Sequence, residues 1–102
     1  MDILQRLFKS LSGKTRLEIL LLLLEKGELT VKEIASFLNR KMNTISQNLK
    51  VLERDNFVKF RHTSIHTYYS IKKDKKYPYN EAILKILKER LKEIKSTKIK
   101  TS

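Results

Sequence analysis

The chain has 102 residues, 23 Lys and Arg against 11 Asp and Glu, a formal net charge of +12 and no cysteine. That length builds one domain with a small core, and the absence of thiols excludes disulfides, thiolate metal sites and thiol switches. The positive surplus favours a polyanion through counterion release, with an acidic membrane surface as the other physical option.

Leu4, Leu7, Phe8 and Leu11 mark a short amphipathic first helix. Ser12 is placed to cap a second one, Thr15 to Lys26, which is apolar on nearly all sides and so expected at the centre of the domain. Its run Ile19 to Leu24 is too short to span a bilayer, and Gly27 supplies its C-terminal stop. Thr30 with Glu33 forms a capping box that opens a third helix, with Val31, Ile34, Ala35 and Leu38 facing inward. Asn39 tolerates a left-handed backbone and marks the turn into a fourth helix.

That fourth helix carries the main chemical signal. Ile45, Leu49 and Leu52 recur at helical spacing and face a core. Asn43, Ser46, Gln47 and Lys50 lie opposite, the kinds of side chain that read base edges and phosphates. Two helices joined at Asn39 read as a helix-turn-helix whose second member suits a DNA major groove. Lys41 and Lys50 are assigned to phosphate, and Asn43, Thr44, Ser46 and Gln47 to bases.

Farther on, Phe57 to Phe60 and Thr67 to Ile71 alternate apolar and polar residues, as the strands of a hairpin do. The segment between them holds neither Gly nor Asn-Gly, so a long, mobile tip is expected. His62 and His66 are read as donors to DNA backbone. Zinc would need three or four ligands, and no Cys, Asp or Glu of the hairpin completes a set, so no metal site is expected.

Lys72 to Lys76 is a charged linker, and Pro78 opens a last helix running from Tyr79 to about Lys95. Leu84, Leu87, Leu91 and Ile94 form a heptad-like seam along it, expected to be buried across a two-fold axis. Residues 1–95 are therefore read as one domain and 96–102 as a basic tail. With no signal-peptide pattern at Met1 to Arg6, a cytoplasmic location is expected, with no membrane partner.

Several of these segments, in this order, resemble the ArsR family of winged-helix repressors. Leu7 to Ser12 with Thr15 to Leu20 is similar to the opening helices of that family, and Glu28 to Ile34 to its next helix start. Thr44 to Glu53 is similar to its recognition helix, and Tyr68 to Ile71 to its second wing strand. The resemblance implies a mainly α fold with a small β-hairpin wing, a winged helix-turn-helix with N- and C-terminal dimerisation helices. It further implies a homodimer on double-stranded DNA that regulates transcription, most simply by repression. By the same resemblance the first helix (about 1–11) joins the last (79–95) at the dimer interface, through Leu4, Leu7 and Phe8. Arg61 and Thr63 join His62 and His66 along the DNA backbone. Thr30 and Lys32 stand where metal-sensing members carry cysteines, the last helix has no His or Asp, and Gly13-Lys14 replaces the usual Asp-Pro. No metal effector and no cofactor are therefore expected.

Two readings from other classes compete with a sequence-specific regulator. One is an architectural protein coating DNA with little sequence preference; the other is a winged-helix module for protein assembly. An enzyme is not expected. The chain shows no Ser-His-Asp set, no carboxylate cluster, and, with two glycines, no phosphate-cradling loop.

Overall fold

Helix α1 (Ile3–Leu11) begins with a reciprocal cap. The Asp2 carboxylate accepts from the Leu4 amide, and the Gln5 side chain accepts from the Asp2 amide. The structure, a computed structural model, describes residues 2–101, with side chains through residue 97. Among them, α1 leads to α2 (Lys14–Lys26), a two-residue strand β1 (Leu29–Thr30), α3 (Val31–Leu38) and α4 (Met42–Arg54). Strands β2 (Val58–His62) and β3 (Thr67–Ile71) and a long α5 (Pro78–Thr101) follow. No helix among the described residues is long and apolar enough to cross a membrane.

Local chemistry sets most of the element ends. The Thr30–Glu33 capping box forms as expected: Thr30 Oγ1 accepts from the Glu33 amide at 3.2 Å, and Glu33 Oε1 accepts from the Thr30 amide at 2.9 Å. Asn39 is left-handed, at φ 54° and ψ 52°, and ends α3. Gly27 ends α2 at φ 90°, where a side chain would be strained. Ser12, however, does not cap α2. It closes α1 instead, its hydroxyl donating to the Lys9 carbonyl at 2.7 Å, while Gly13 takes the N-cap position with no side-chain bond.

The sheet runs β1-β3-β2, antiparallel throughout. Strand β1, which the sequence pattern does not signal, pairs Leu29 with Tyr69 and Thr30 with Tyr68. The hairpin tip is also tighter than expected, because β2 extends to His62, paired with Thr67. Thr63 closes the tip without glycine. Its amide donates to the His66 carbonyl at 2.8 Å, and its hydroxyl accepts from the Ile65 and His66 amides.

The core forms where α2, α3 and α4 meet the sheet and α5: Ile19, Leu20, Leu23, Ile34, Ile45, Leu49, Leu52 and Phe57 are all but inaccessible. Three residues expected at a dimer interface belong to this core. Leu7 is 1% exposed, Leu84 6% and Leu87 9%, because α1 and α5 lay these sides on their own protomer. Among the described residues, the large apolar side chains left in water on these helices are Ile3, Phe8, Tyr79 and Ile86. Helix α5 also passes the expected end near Lys95 and continues to Thr101. No Gly or Pro interrupts residues 96–101, and the Thr97 hydroxyl donates back to the Glu93 carbonyl. The side chains of the expected tail beyond residue 97 lie outside the described residues.

One polar residue ties three helices together. Asp55, at the end of α4, is 3% exposed. Its carboxylate accepts from Arg6 Nε at 2.7 Å, from the Ser10 hydroxyl and from Arg54, while its carbonyl accepts from Asn80 Nδ2 at 2.7 Å. Burial pushes the Asp55 carboxyl up, but the bonds from Arg54, Ser10 and Arg6 outweigh it and hold the group below its usual range. A carboxylate depressed on folding stabilises the fold above its unfolded value of about 3.9, and that stability is lost as pH falls through the lower folded value. Asp55→Ala is expected to cost about 1–3 kcal/mol at neutral pH, chiefly from leaving the buried Ser10 hydroxyl unpaired. The two arginines add little, being about half in water. Urea denaturation at neutral and acid pH checks this: the gap between parent and variant should shrink on acidification.

Candidate nucleic-acid interface

The recognition helix owes its orientation to the turn before it. Asn39 in the left-handed region reverses the chain, and the Arg40 amide donates to the Ala35 carbonyl at 3.0 Å. The Arg40 side chain then reaches Glu18 of α2 at 2.9 Å, pinning the turn to the core. Lys41 is the N-cap of α4 and makes no side-chain cap, so the first amides of that helix are not bonded to it.

Ile45, Leu49 and Leu52 bury one side of α4, as the spacing requires. Asn43, Gln47 and Lys50 fall on the exposed side, separated by four and three residues. Ser46 sits half-buried at the edge of that stripe. Thr44 is also half-buried and turned toward the flank, where its carbonyl accepts from Asn48 Nδ2 at 2.8 Å. Sequence reasoning missed Arg54, four residues beyond Lys50, which prolongs the stripe and is exposed. The signal was present in the helical period, which carries the exposed side on from Lys50 to Arg54.

In the wing the assigned residues part company. Lys59, Arg61, His62, Thr63 and His66 are all exposed. Arg61, though, is committed: it grips Glu28 with two bonds, at 2.7 and 2.8 Å, and stacks over the Tyr68 ring at 4.6 Å. The Arg61 bond holds the Glu28 carboxyl below its usual range, and Glu28 raises Arg61 in return. Arg61 thus braces the wing against the loop before β1. His62 Nδ1 lies 2.7 Å from Thr67 Oγ1, and His66 packs edge-on to Tyr68. Thr63 spends its hydroxyl on the tip. Ile65, at the apex, is 81% exposed.

Of the residues assigned to a dimer interface, Phe8 is exposed, Leu4, Leu91 and Ile94 are partly buried, and Leu7, Leu84 and Leu87 are enclosed. Among the described residues no three His, Asp or Glu side chains converge as a metal ion would require.

Known proteins share these features. A helix-turn-helix domain family matches residues 11–59. Transcription factor E of Saccharolobus islandicus is 44% identical over 63 residues, 61% of this chain and 36% of that protein. The chain thus spans about a third of the length of the curated relatives it first matches. A cadmium resistance transcriptional regulatory protein CadC homolog from Staphylococcus aureus is 34% identical over 66 residues, 65% of this chain and 54% of that one. Among solved structures, the transcriptional regulator HlyU from Vibrio vulnificus is 31% identical, with 82% of each chain covered and a TM-score of 0.67. The homodimeric winged helix-turn-helix DNA-binding domain of a possible ArsR-family regulator from Mycobacterium bovis is 29% identical. It covers 90% of this chain and 84% of its own at a TM-score of 0.69. With a helix-turn-helix hinged at a left-handed Asn39, a wing on its flank and these relatives on both sequence and fold, the chain belongs to the ArsR-type winged helix-turn-helix family of transcriptional regulators.

Proposed function

We propose that the protein is a homodimeric regulator that binds double-stranded DNA sequence-specifically in the cytoplasm and represses transcription by occluding a promoter. The observation that carries this reading is the exposed stripe of Asn43, Gln47 and Lys50 on a helix whose other side is locked in the core. Amide side chains can bond two base-edge atoms at once, whereas an ammonium suits a phosphate. Lys41 and Lys50 are assigned to phosphates, Asn43, Gln47 and Ser46 to bases, and Thr44 to a lesser base contact from the flank. His62, Thr63 and His66 line the backbone side of the wing, with Arg61 acting mainly as its brace. We read the chain as a binding protein and not an enzyme.

Dimer formation is assigned to α1 and α5. Ser10 of α1 and Asn80 of α5 both reach Asp55, one at its carboxylate and the other at its carbonyl, which ties both helices to the same end of α4. Ile3, Phe8, Tyr79 and Ile86 supply the apolar surface to be covered, and the homodimeric relative supports a second copy as its cover.

Selection of bound sequences from a random DNA pool, followed by substitution, tests the reading. Gln47→Ala is expected to relax preference at one or two base pairs per half-site, costing about 1–3 kcal/mol on the preferred duplex. Lys50→Ala should weaken all duplexes alike. Equal losses on preferred and random DNA for Gln47→Ala would remove Gln47 from the bases. A pool that yields no preferred sequence would favour an architectural DNA coater instead.

The likeness to Transcription factor E over only about a third of that protein leaves room for a second reading, a winged-helix module for protein assembly. Such a module would show weak DNA affinity indifferent to Gln47→Ala.

A further inference from the structure

Beside the recognition stripe lies a cleft of ≈530 Å³ lined by Arg6, Lys9, Ser10, Arg16, Val51 and Arg54. Four of its six lining residues are cations, drawn from α1, α2 and α4. Among the described residues the Asp55 carboxylate pairs with two of these cations, Arg6 and Arg54, and not with Lys9 or Arg16, so the cleft keeps a surplus of positive charge. On α2, Glu18 is taken up by Arg40.

The guanidinium groups are held in place before any ligand arrives. Arg6 uses Nε on Asp55, which leaves its two terminal nitrogens without a hydrogen bond among the described residues. Arg16 donates Nε to the Ser10 carbonyl and Nη1 to Asn48 Oδ1 at 3.4 Å, so it leans on the recognition helix itself. Gly13 makes room for this: a Cβ there would stand 3.2 Å from the Arg16 guanidinium carbon. Lys9 is exposed on the last turn of α1, and its ammonium has no hydrogen bond or ion pair among the described residues. Fixed guanidinium forks beside one free ammonium suit a tetrahedral, singly charged anion.

We propose that this cleft holds a DNA backbone phosphate next to the bases read by α4, so that α1 and α2 form part of the DNA-binding surface. The occupant follows from continuity. Arg54 belongs both to the cleft and to the stripe of Asn43, Gln47 and Lys50, so a duplex seated on that stripe brings its sugar-phosphate edge to the cleft. Asp55 then has a second role as a positioning residue, aligning Arg6 and Arg54 for that phosphate. The inference rests on the DNA-binding reading above.

The test compares the parent chain with Lys9→Gln and with Lys9→Gln/Arg16→Gln, by fluorescence anisotropy on the selected duplex and on random duplex across a salt series. One phosphate lost per protomer is expected to make the log-log salt slope of the dimer shallower by roughly 2, at about 0.9 per phosphate. Affinity should fall by the same factor on both duplexes, with base preference kept. A thermal melt accompanies the double variant; should it melt low, Lys9→Gln, which gives up no structural bond, carries the comparison with its slope change. A parent that binds the selected duplex while both variants keep its slope overturns the cleft assignment alone. A parent that binds no DNA overturns the underlying reading. Inorganic phosphate bound by the parent at micromolar affinity, with unchanged DNA slopes in the variants, would make the cleft a free-anion site and also overturn the proposal.

Discussion

Raising the salt concentration from about 50 to 200 mM is expected to weaken DNA binding by roughly 10³–10⁵-fold, if a dimer makes ~6–10 phosphate contacts. The expectation comes from where the charge sits as well as how much there is. Lys41, Lys50 and Arg54 are exposed along α4, and Lys59 and the histidines are exposed on the wing. Each cation that replaces a condensed counterion contributes to the slope, whereas Arg61 and Arg40, already paired with Glu28 and Glu18, contribute less. Anisotropy titrations across that range measure it. A nearly flat response would show that the net charge of +12 serves something other than a polyanion.

Phe8→Glu combined with Ile86→Glu is expected to split the dimer and leave each protomer folded. Phe8 is 59% and Ile86 66% exposed in the protomer, so a charge at either costs the monomer little. Across a two-fold axis the same charges would face each other without water, which is strongly unfavourable. The monomer would then hold one recognition helix where the dimer holds two, spaced for half-sites about 34–36 Å apart. Losing the tethered second head should lower affinity for the preferred duplex by about 10²–10⁴-fold while weak binding to random DNA survives. Sedimentation beside the parent gives the mass, and an unchanged dimer would place the interface elsewhere. Leu87→Glu serves as the contrast. That side chain is 9% exposed in the core, so the variant should unfold and not merely dissociate.

This contrast shows what the sequence could and could not disclose. Signals spanning a few residues were readable: the Thr30–Glu33 cap, the left-handed Asn39 and the alternation of burial along α4 each follow from local stereochemistry. The seam of Leu84, Leu87, Leu91 and Ile94 was equally periodic, but a period reveals that a stripe is covered and not what covers it. Here the covering surface for Leu84 and Leu87 is the protomer's own core, and the weaker-looking Tyr79 and Ile86 remain outside. Asp55 was unreadable for a different reason. Its partners Arg6 and Ser10 lie 49 and 45 residues away, and nothing in the neighbourhood of any of the three announces the meeting. Strand β1 was masked because its second residue, Thr30, also opens a capping box, and the helix signal is the stronger of the two. The exposed polar stripe of α4 was legible because it is the complement of a core pattern, whereas Arg61 looked free until the fold brought Glu28 beside it.

The bonding of the wing to the loop before α3 has a mechanical consequence. Strand β1 pairs with β3, and Arg61 clasps Glu28 just ahead of β1, so the wing cannot swing without breaking contacts that also anchor the start of α3. Wing and recognition helix therefore behave as the two jaws of a calliper set to one gap. A duplex that touches both must present a groove of that width or deform until it does. The elastic cost of such a deformation depends on base steps that no side chain contacts. Stiffness in the protein becomes, in this way, a filter on the stiffness of the DNA.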